Sequence, residues 1–327
     1  MRRVLVAPDA FKGTLSAAEV AAAVAAGLRA AGLEAEECPV ADGGEGTLEV
    51  LRGPLGGEPR EAASHDALGR PLLAGWLWLA EQRTAILEMA RASGLALIAE
   101  HERDAERASS AGTGELILAA RDAGARRAIL AIGGTATSDG GAGALAAIEQ
   151  AGGLGELELE LACDVMIPFE AAAEVFGPQK GAGPEEVRRL TDELNRLAQT
   201  FPRDPRGLLM TGAGGGLAGA LWAVHGARLR GGAEFVLQAL GFEQRLSAAE
   251  GVVIGEGCLD GQSRRGKITG EIIARAGRLG IPVHAIVGGL GHDTDPAEWS
   301  ELASLQTAGS PAELERAGAR LAAAPTI

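Results

Sequence analysis

GVVIGEGCLDGQSRRGKITGEIIARAG, residues 251–277, admits three parses with different consequences for the architecture. An apolar run, GVVIGEG, gives way to a loop rich in Gly and Asp, and then to TGEIIARAGRLG, which has helical periodicity. Gly261 to Lys267 has the Gly-x4-Gly-Lys spacing of a P-loop. The residue after Lys267 is Ile268, where a P-loop needs a Ser or Thr hydroxyl for Mg²⁺, and Thr269 comes one position late. The stretch is therefore a degenerate P-loop, a phosphate site of another kind, or an ordinary strand–loop–helix connection.

The same β-then-α alternation recurs along the chain and argues for parallel sheets covered by helices. VLVAPDAF is a strand, followed by a helix opened by the capping box Ser16-x-x-Glu19 and closed at Gly32. A second strand, EAEECPVAD, leads to a helix beginning in GEGTLEVL. Residues 58–98 alternate and carry turn signals, which predicts antiparallel strands and a change of domain near residue 58. Beyond them come helix 109–124, strand 126–134, helix 139–153, a strand in ELELACDV, a helix after Pro184, a Gly-entered helix in 211–227, and a last helix with the box Ser310-x-x-Glu313. The short apolar strands at 3–8, 36–41, 252–256 and 282–287 are alike and each runs into a Gly- or Asp-rich loop. They predict an α/β protein in which residues 1–57 and 238–327 share one doubly wound sheet, with 58–237 inserted as a second, mixed α/β domain. Ligands of such sheets bind beyond the carboxyl ends of the strands.

Composition excludes several classes of function. A net charge of −14, from 30 basic and 44 acidic residues, argues against nucleic-acid binding, as do 3% aromatic residues with no Tyr. No apolar run approaches the length of a membrane span, and the N-terminus reads as a first strand rather than a signal peptide. Cys38, Cys163 and Cys258 show neither a disulfide framework nor a zinc spacing, which predicts a reduced, cytoplasmic protein. Of the basic residues only three are Lys, at positions 12, 180 and 267, and each has a Gly beside it. A compact ammonium suits phosphate oxygens, and Arg is no free substitute for it.

Five stretches bring Asp and Gly together at strand ends: PDAFKGTLS, ADGGEGT, GGTATSDGGAGAL, ACDV with GPQKGAG, and GEGCLDGQSRRGK. Any one of them alone is an ordinary turn. Together they offer backbone N–H groups for anions, carboxylates for Mg²⁺ and Lys for a transferring group, the inventory of phosphoryl transfer. A hydrolase elbow, a dinucleotide fingerprint and a His metal spacing are all missing.

In chain order PDAFKGTLSA, PVADGGEGT, AIGGTATSDGGAGAL, ACDV, VFGPQKGA, TGAGGGLAGAL and GEGCLDGQSRRGKITG resemble the bacterial glycerate kinase family over nearly the whole length. The 261–267 loop then resembles that family's own Gly-Lys motif and not a P-loop. The resemblance implies a flavodoxin-like discontinuous domain and phosphorylation of D-glycerate by ATP with Mg²⁺, giving 2-phosphoglycerate. A 3-kinase, or a kinase for a related small hydroxy acid, is the alternative. A non-catalytic two-domain sensor is the rival of another class. Candidate catalytic residues are Lys12, Asp42, Asp139, Asp164, Lys180, Asp260 and Lys267, with Asp42, Asp139, Asp164 and Asp260 also candidates for Mg²⁺. Substrate and phosphate contacts are expected from Asp9, Gly43, Gly44, Gly133, Gly134, Thr135, Gly140, Gly141, Gly214, Gly215, Gly257, Gln262, Ser263, Arg265 and Gly266. The sequence departs from the family pattern at Ser138, where Asn is usual, and at Ile167 and Phe169, which interrupt an Asn-Pro-Leu.

Overall fold

The eleven strands among the described residues are β1 (Arg3–Pro8), β2 (Glu34–Glu37), β3 (Glu58–His65), β4 (Pro71–Leu79), β5 (Thr84–Glu88), β6 (Arg127–Ala131), β7 (Glu158–Ala162), β8 (Arg228–Arg230), β9 (Gly251–Gly255), β10 (Val283–Val287) and β11 (Ser304–Thr307). The structure is a computed structural model, and it describes residues 2–322 apart from 12, 262, 264–266 and 293. By internal contacts the chain divides into two units, Met1–Asp42 with Glu49–Pro54 and Ala233–Ile327, and Gly43–Leu48 with Leu55–Gly232.

In the first unit five strands pair in the order β11-β10-β9-β1-β2, every pair parallel. Counted within the unit this is 2-1-3-4-5, the flavodoxin-like order, so the direction of winding reverses between β1 and β9. β1, β9 and β10 are buried along nearly their whole length, which explains their continuous apolar sequence where a half-exposed strand would alternate. One face is covered by the helices Ala17–Ala30 and Pro311–Leu321, whose Val20, Val24, Leu28, Leu314 and Leu321 join Val4, Val6, Val253 and Ile286 in one core. Both helices start as the sequence predicts. The Ser16 N–H donates to Glu19 Oε2 at 2.8 Å while the Glu19 N–H donates to Ser16 Oγ at 3.2 Å, and Ser310 with Glu313 repeats the box.

The second unit holds a six-stranded sheet, β3-β4-β5-β6-β7-β8. β3, β4 and β5 are antiparallel and the remaining pairs parallel, which makes the sheet mixed, as residues 58–98 predict. Its core gathers Trp76, Trp78, Leu87, Met89, Leu116, Leu130, Leu161, Leu217 and Leu221.

Some elements differ from expectation. The helix read into 211–227 begins only at Leu217, because Gly214, Gly215 and Gly216 all have positive φ, which an α-helix cannot include. β2 stops at Glu37, ahead of Pro39. The short strands β8 and β11 and the helices Gly232–Ala239 and Phe242–Ser247 lack an apolar period long enough to stand out. Among the described residues no helix is long and apolar enough to cross a membrane.

Candidate active site

Where the winding of the first unit reverses, the carboxyl ends of its strands enclose a cavity of about 430 Å³. Asp9 follows β1, Glu256 follows β9, Gly288 follows β10, and Asp42 and Gly309 lie on the loops after β2 and β11; all line it. Backbone bonds carry the sheet into these loops. The Asp9 N–H donates to Gly255 O at 2.8 Å, Gly288 N–H to Glu256 O at 3.0 Å and Leu259 N–H to Gly289 O at 3.0 Å. Phe11, almost fully buried, packs beneath. Gly288 is glycine for lack of room: a Cβ there would stand 2.5 Å from Gly257 O and 3.3 Å from Phe11 Cδ2.

The remaining lining comes from the stretch that opens after β9. Gly257, Cys258, Asp260, Lys267, Ile268 and Thr269 all face the cavity. Lys267 is the N-cap residue of the helix Ile268–Leu279, so an ammonium and the positive end of a helix dipole meet on one wall. Asp9, Asp42, Glu256 and Asp260 line the same cavity. A cavity that joins an anion-favouring helix start with carboxylates suits a ligand that carries both signs, such as a phosphate chain with its cation.

Glu256 is 7% exposed. Its Oε2 accepts the Ser263 hydroxyl at 2.8 Å, and Ser263 Oγ in turn accepts the Asp260 N–H at 3.1 Å. The Ser263 N–H donates back to Asp260 Oδ1 at 3.1 Å. The other carboxylate oxygen of Glu256, Oε1, is buried and accepts no hydrogen bond among the described residues. Burial pushes this carboxyl above its ordinary range, against the Ser263 and Thr269 hydroxyls and the Lys267 ammonium, while Asp260 adds to the push. Glu256 is absent from the sequence-derived candidates, although it stands in the same motif as Asp260. The signal was present: an acidic residue at the carboxyl end of a fully apolar strand.

Asp9, Asp42, Gly257, Asp260 and Lys267 are thus brought to one cavity, with Ser263 behind Glu256. Lys12, Gln262, Arg265 and Gly266 lie outside the described residues.

The other candidates fall in the second unit, at the carboxyl ends of its parallel strands. Gly43 and Gly133 are there because loops cross: a Cβ on Gly43 would stand 2.3 Å from Gly232 Cα, and one on Gly133 2.9 Å from Gly44 Cα. Gly134 and Thr135 follow in the same loop, where Thr135 Oγ1 reaches Ser93 O at 3.2 Å. Asp164, after β7, accepts the Gly232 N–H at 2.7 Å. Glu88, fully buried at the end of β5, accepts the Leu48 N–H at 2.7 Å and pairs with Arg91 at 2.9 Å. The sequence reading passed over this second acidic strand end as well.

Deeper in that unit, Asp139 accepts four bonds: from the Ser110 N–H and hydroxyl, both at 2.8 Å, and from the Gly141 and Gly143 N–H groups, both at 3.1 Å. It ties the starts of the helices Ala111–Asp122 and Ala142–Gln150 together. Lys180 is 2% exposed, and its Nζ donates to Thr137 O at 2.5 Å. Burial lowers its ammonium to about 8, with Asp139 opposing. Gly140, Gly141, Gly214 and Gly215 sit where a Cβ would strike Leu197, Ala220, Ile132 and Thr137 O respectively. In each case the space a side chain would need is filled by protein. Among the described residues no group of three or more His, Cys, Asp or Glu side chains is gathered for a metal.

The model of the glycerate kinase family matches residues 4–152 and 149–324. The chain belongs to the glycerate kinase family. A glycerate 2-kinase of Escherichia coli K12 is 36% identical over 89% of this chain and 86% of its own, and a glycerate kinase of Bacillus subtilis 168 is 36% identical over 90% and 86%. A solved structure from Salmonella typhimurium LT2, assigned as a glycerate kinase 2, superposes with a TM-score of 0.81 at 34% identity, covering 98% of this chain and 97% of that one. Membership makes the chain an enzyme of the kinase type, a phosphotransferase, and agrees with the two-sheet α/β architecture.

Proposed function

We propose that this glycerate kinase family member transfers the γ-phosphoryl group of ATP to D-glycerate, with 2-phosphoglycerate as product. The observation that carries the choice of hydroxyl is the relative in Escherichia coli, named for 2-kinase activity and similar over nearly the whole chain. In the reaction a glycerate oxygen bonds to the γ-phosphorus as the bond to the bridging oxygen of ADP breaks, and the hydroxyl proton is lost. Such a transition state asks the protein for position and for charge neutralisation more than for covalent chemistry.

The cavity of the first unit supports this reading. Lys267 and the amino end of helix Ile268–Leu279 suit phosphate oxygens. Mg²⁺ would supply charge neutralisation between phosphates. It needs only one or two carboxylates beside phosphate oxygens and water, so a preassembled cage of three is not required. The carboxylates that line the cavity are Asp9, Asp42, Glu256 and Asp260, and the orphaned oxygen of Glu256 fits such an ion. The domain assignment proposed with this function follows the sequence: 1–57 and 238–327 as the flavodoxin-like domain, 58–237 as the inserted one.

The test is direct. ATP, Mg²⁺ and D-glycerate are incubated with the enzyme, and enolase is then added to the product. Phosphoenolpyruvate is expected at once. If it forms only when a phosphoglycerate mutase is also present, the product is the 3-isomer and the assignment is lost.

A further inference from the structure

We propose that Glu256 is a ligand of the divalent cation in this cavity, through the carboxylate oxygen Oε1, which accepts no hydrogen bond among the described residues. The inference deepens the kinase reading and rests on it for the identity of the ion.

Three observations converge on this residue. Glu256 is buried, and a buried carboxylate oxygen with nothing to accept from is rare enough to mark a place for a water or an ion. Its other oxygen is already fixed by Ser263, which leaves Oε1 in one orientation and spares it the freedom a surface carboxylate would lose on binding. Its neighbours on the cavity wall are further carboxylates, Asp9, Asp42 and Asp260, so a second oxygen ligand is within the same lining. Lys267 and the helix start beside it receive the phosphate that the cation accompanies. The alternatives in the second unit are occupied differently. Asp139 already accepts four bonds, and Asp164 holds the Gly232 N–H.

Glu256→Gln separates charge from shape, because the amide keeps the volume and an oxygen for the Ser263 hydroxyl. Ser263→Ala removes that hydroxyl and keeps the charge. Mn²⁺ binding in the presence of ADP, read from the free-ion electron paramagnetic resonance signal, is expected to weaken by about tenfold or more in E256Q. In S263A, which keeps the charge and loses only the hydroxyl that orients it, the loss is expected to be smaller than in E256Q. Equal Mn²⁺ affinity in E256Q and wild type overturns the proposal, as does an equal loss in both variants, which would make Glu256 a support for its loop only.

A second measurement uses the unmodified enzyme and does not depend on the variants folding. Fe²⁺ with ascorbate and peroxide cuts a polypeptide beside the bound ion. A cut close to residue 256 that excess Mg²⁺ suppresses is expected; its absence, or cuts confined to the neighbourhoods of Asp139 and Asp164, overturns the assignment. Neither experiment contains glycerate. An enzyme that gives both expected results yet phosphorylates no glycerate loses the substrate assignment and keeps this one.

Discussion

At Lys267 the ammonium stands on a cavity wall at the start of a helix, whereas at Lys180 it is sealed inside the second unit against Thr137 O. The two should answer differently to substitution. Lys267→Arg is expected to fold normally and to lose on the order of 10²-fold in turnover, because the forked guanidinium shifts the charge by about 1 Å at the reacting group. Arg196→Lys, exposed on the helix after Pro184, serves as the silent control; near wild-type turnover in K267R would remove Lys267 from the phosphate site. For Lys180 the test is pH. Its proton leaves at about 8 in the folded chain and at the ordinary 10.5 in the unfolded chain. Between those values the unfolded state binds more protons, so the contribution of Lys180 to stability is poorest below pH 8 and improves as the pH rises towards 10.5. Urea unfolding of wild type against Lys180→Met should show wild type gaining on the order of 2 kcal/mol between pH 7 and 10; a constant difference would mean the lysine is not buried in solution. A Gly neighbour marked both lysines in the sequence and separated neither, since burial is a property of the tertiary fold. Glu256 was missed for the converse reason. The sequence shows an acidic residue at a strand end, but not that one of its oxygens is fixed by Ser263 while the other accepts no bond among the described residues.

Helices were legible wherever their start carried its own chemistry. The boxes at Ser16 and Ser310 are satisfied within four residues, so the sequence contains everything needed to see them. What it does not contain is the way those two helices meet. A Cβ on Gly27 would stand 1.9 Å from Glu315 O, and one on Gly318 2.4 Å from Val24 O, so the crossing is backbone on backbone. Gly27→Ala and Gly318→Ala should each cost about 1–3 kcal/mol, since neither backbone can yield without displacing a helix from the sheet. Gly277, exposed on helix Ile268–Leu279 with open space around its Cα, makes the contrast. There alanine should stabilise by about 0.4–1 kcal/mol through the unfolded chain. Thermal or urea unfolding of the three variants decides; equal effects at all three sites would mean the close crossing does not exist. The same distinction explains the Gly-rich segment 211–216. Read as the mouth of a helix, it ends in three left-handed residues, Gly214, Gly215 and Gly216, which admit Ile132, Thr137 and Phe169.

Over the whole molecule, alternation of apolar strands with helices was enough to give two α/β units and to pair the chain's beginning with its end, because parallel strands buried on both faces have few other ways to be written. Strand order was beyond it, as β8 and β11 are too short to register. The discontinuity can be tested. A chain ending at residue 240 retains all of Leu55–Gly232 but lacks β9, β10 and β11. Limited proteolysis should leave a core spanning about residues 55–232 and digest the first forty residues; their survival would show that β1 and β2 need no later partner. The placement of β1 has a consequence in the life of the nascent protein. It leaves the ribosome well before its neighbour β9, which starts at Gly251. At about 5–20 residues per second an apolar strand waits roughly 12–50 s with one edge open. Throughout that interval its unpaired backbone is available to chaperones, or to the same strand on the next chain of a polysome, so the yield of folded enzyme in a crowded cell is set by a clock that starts when β1 emerges.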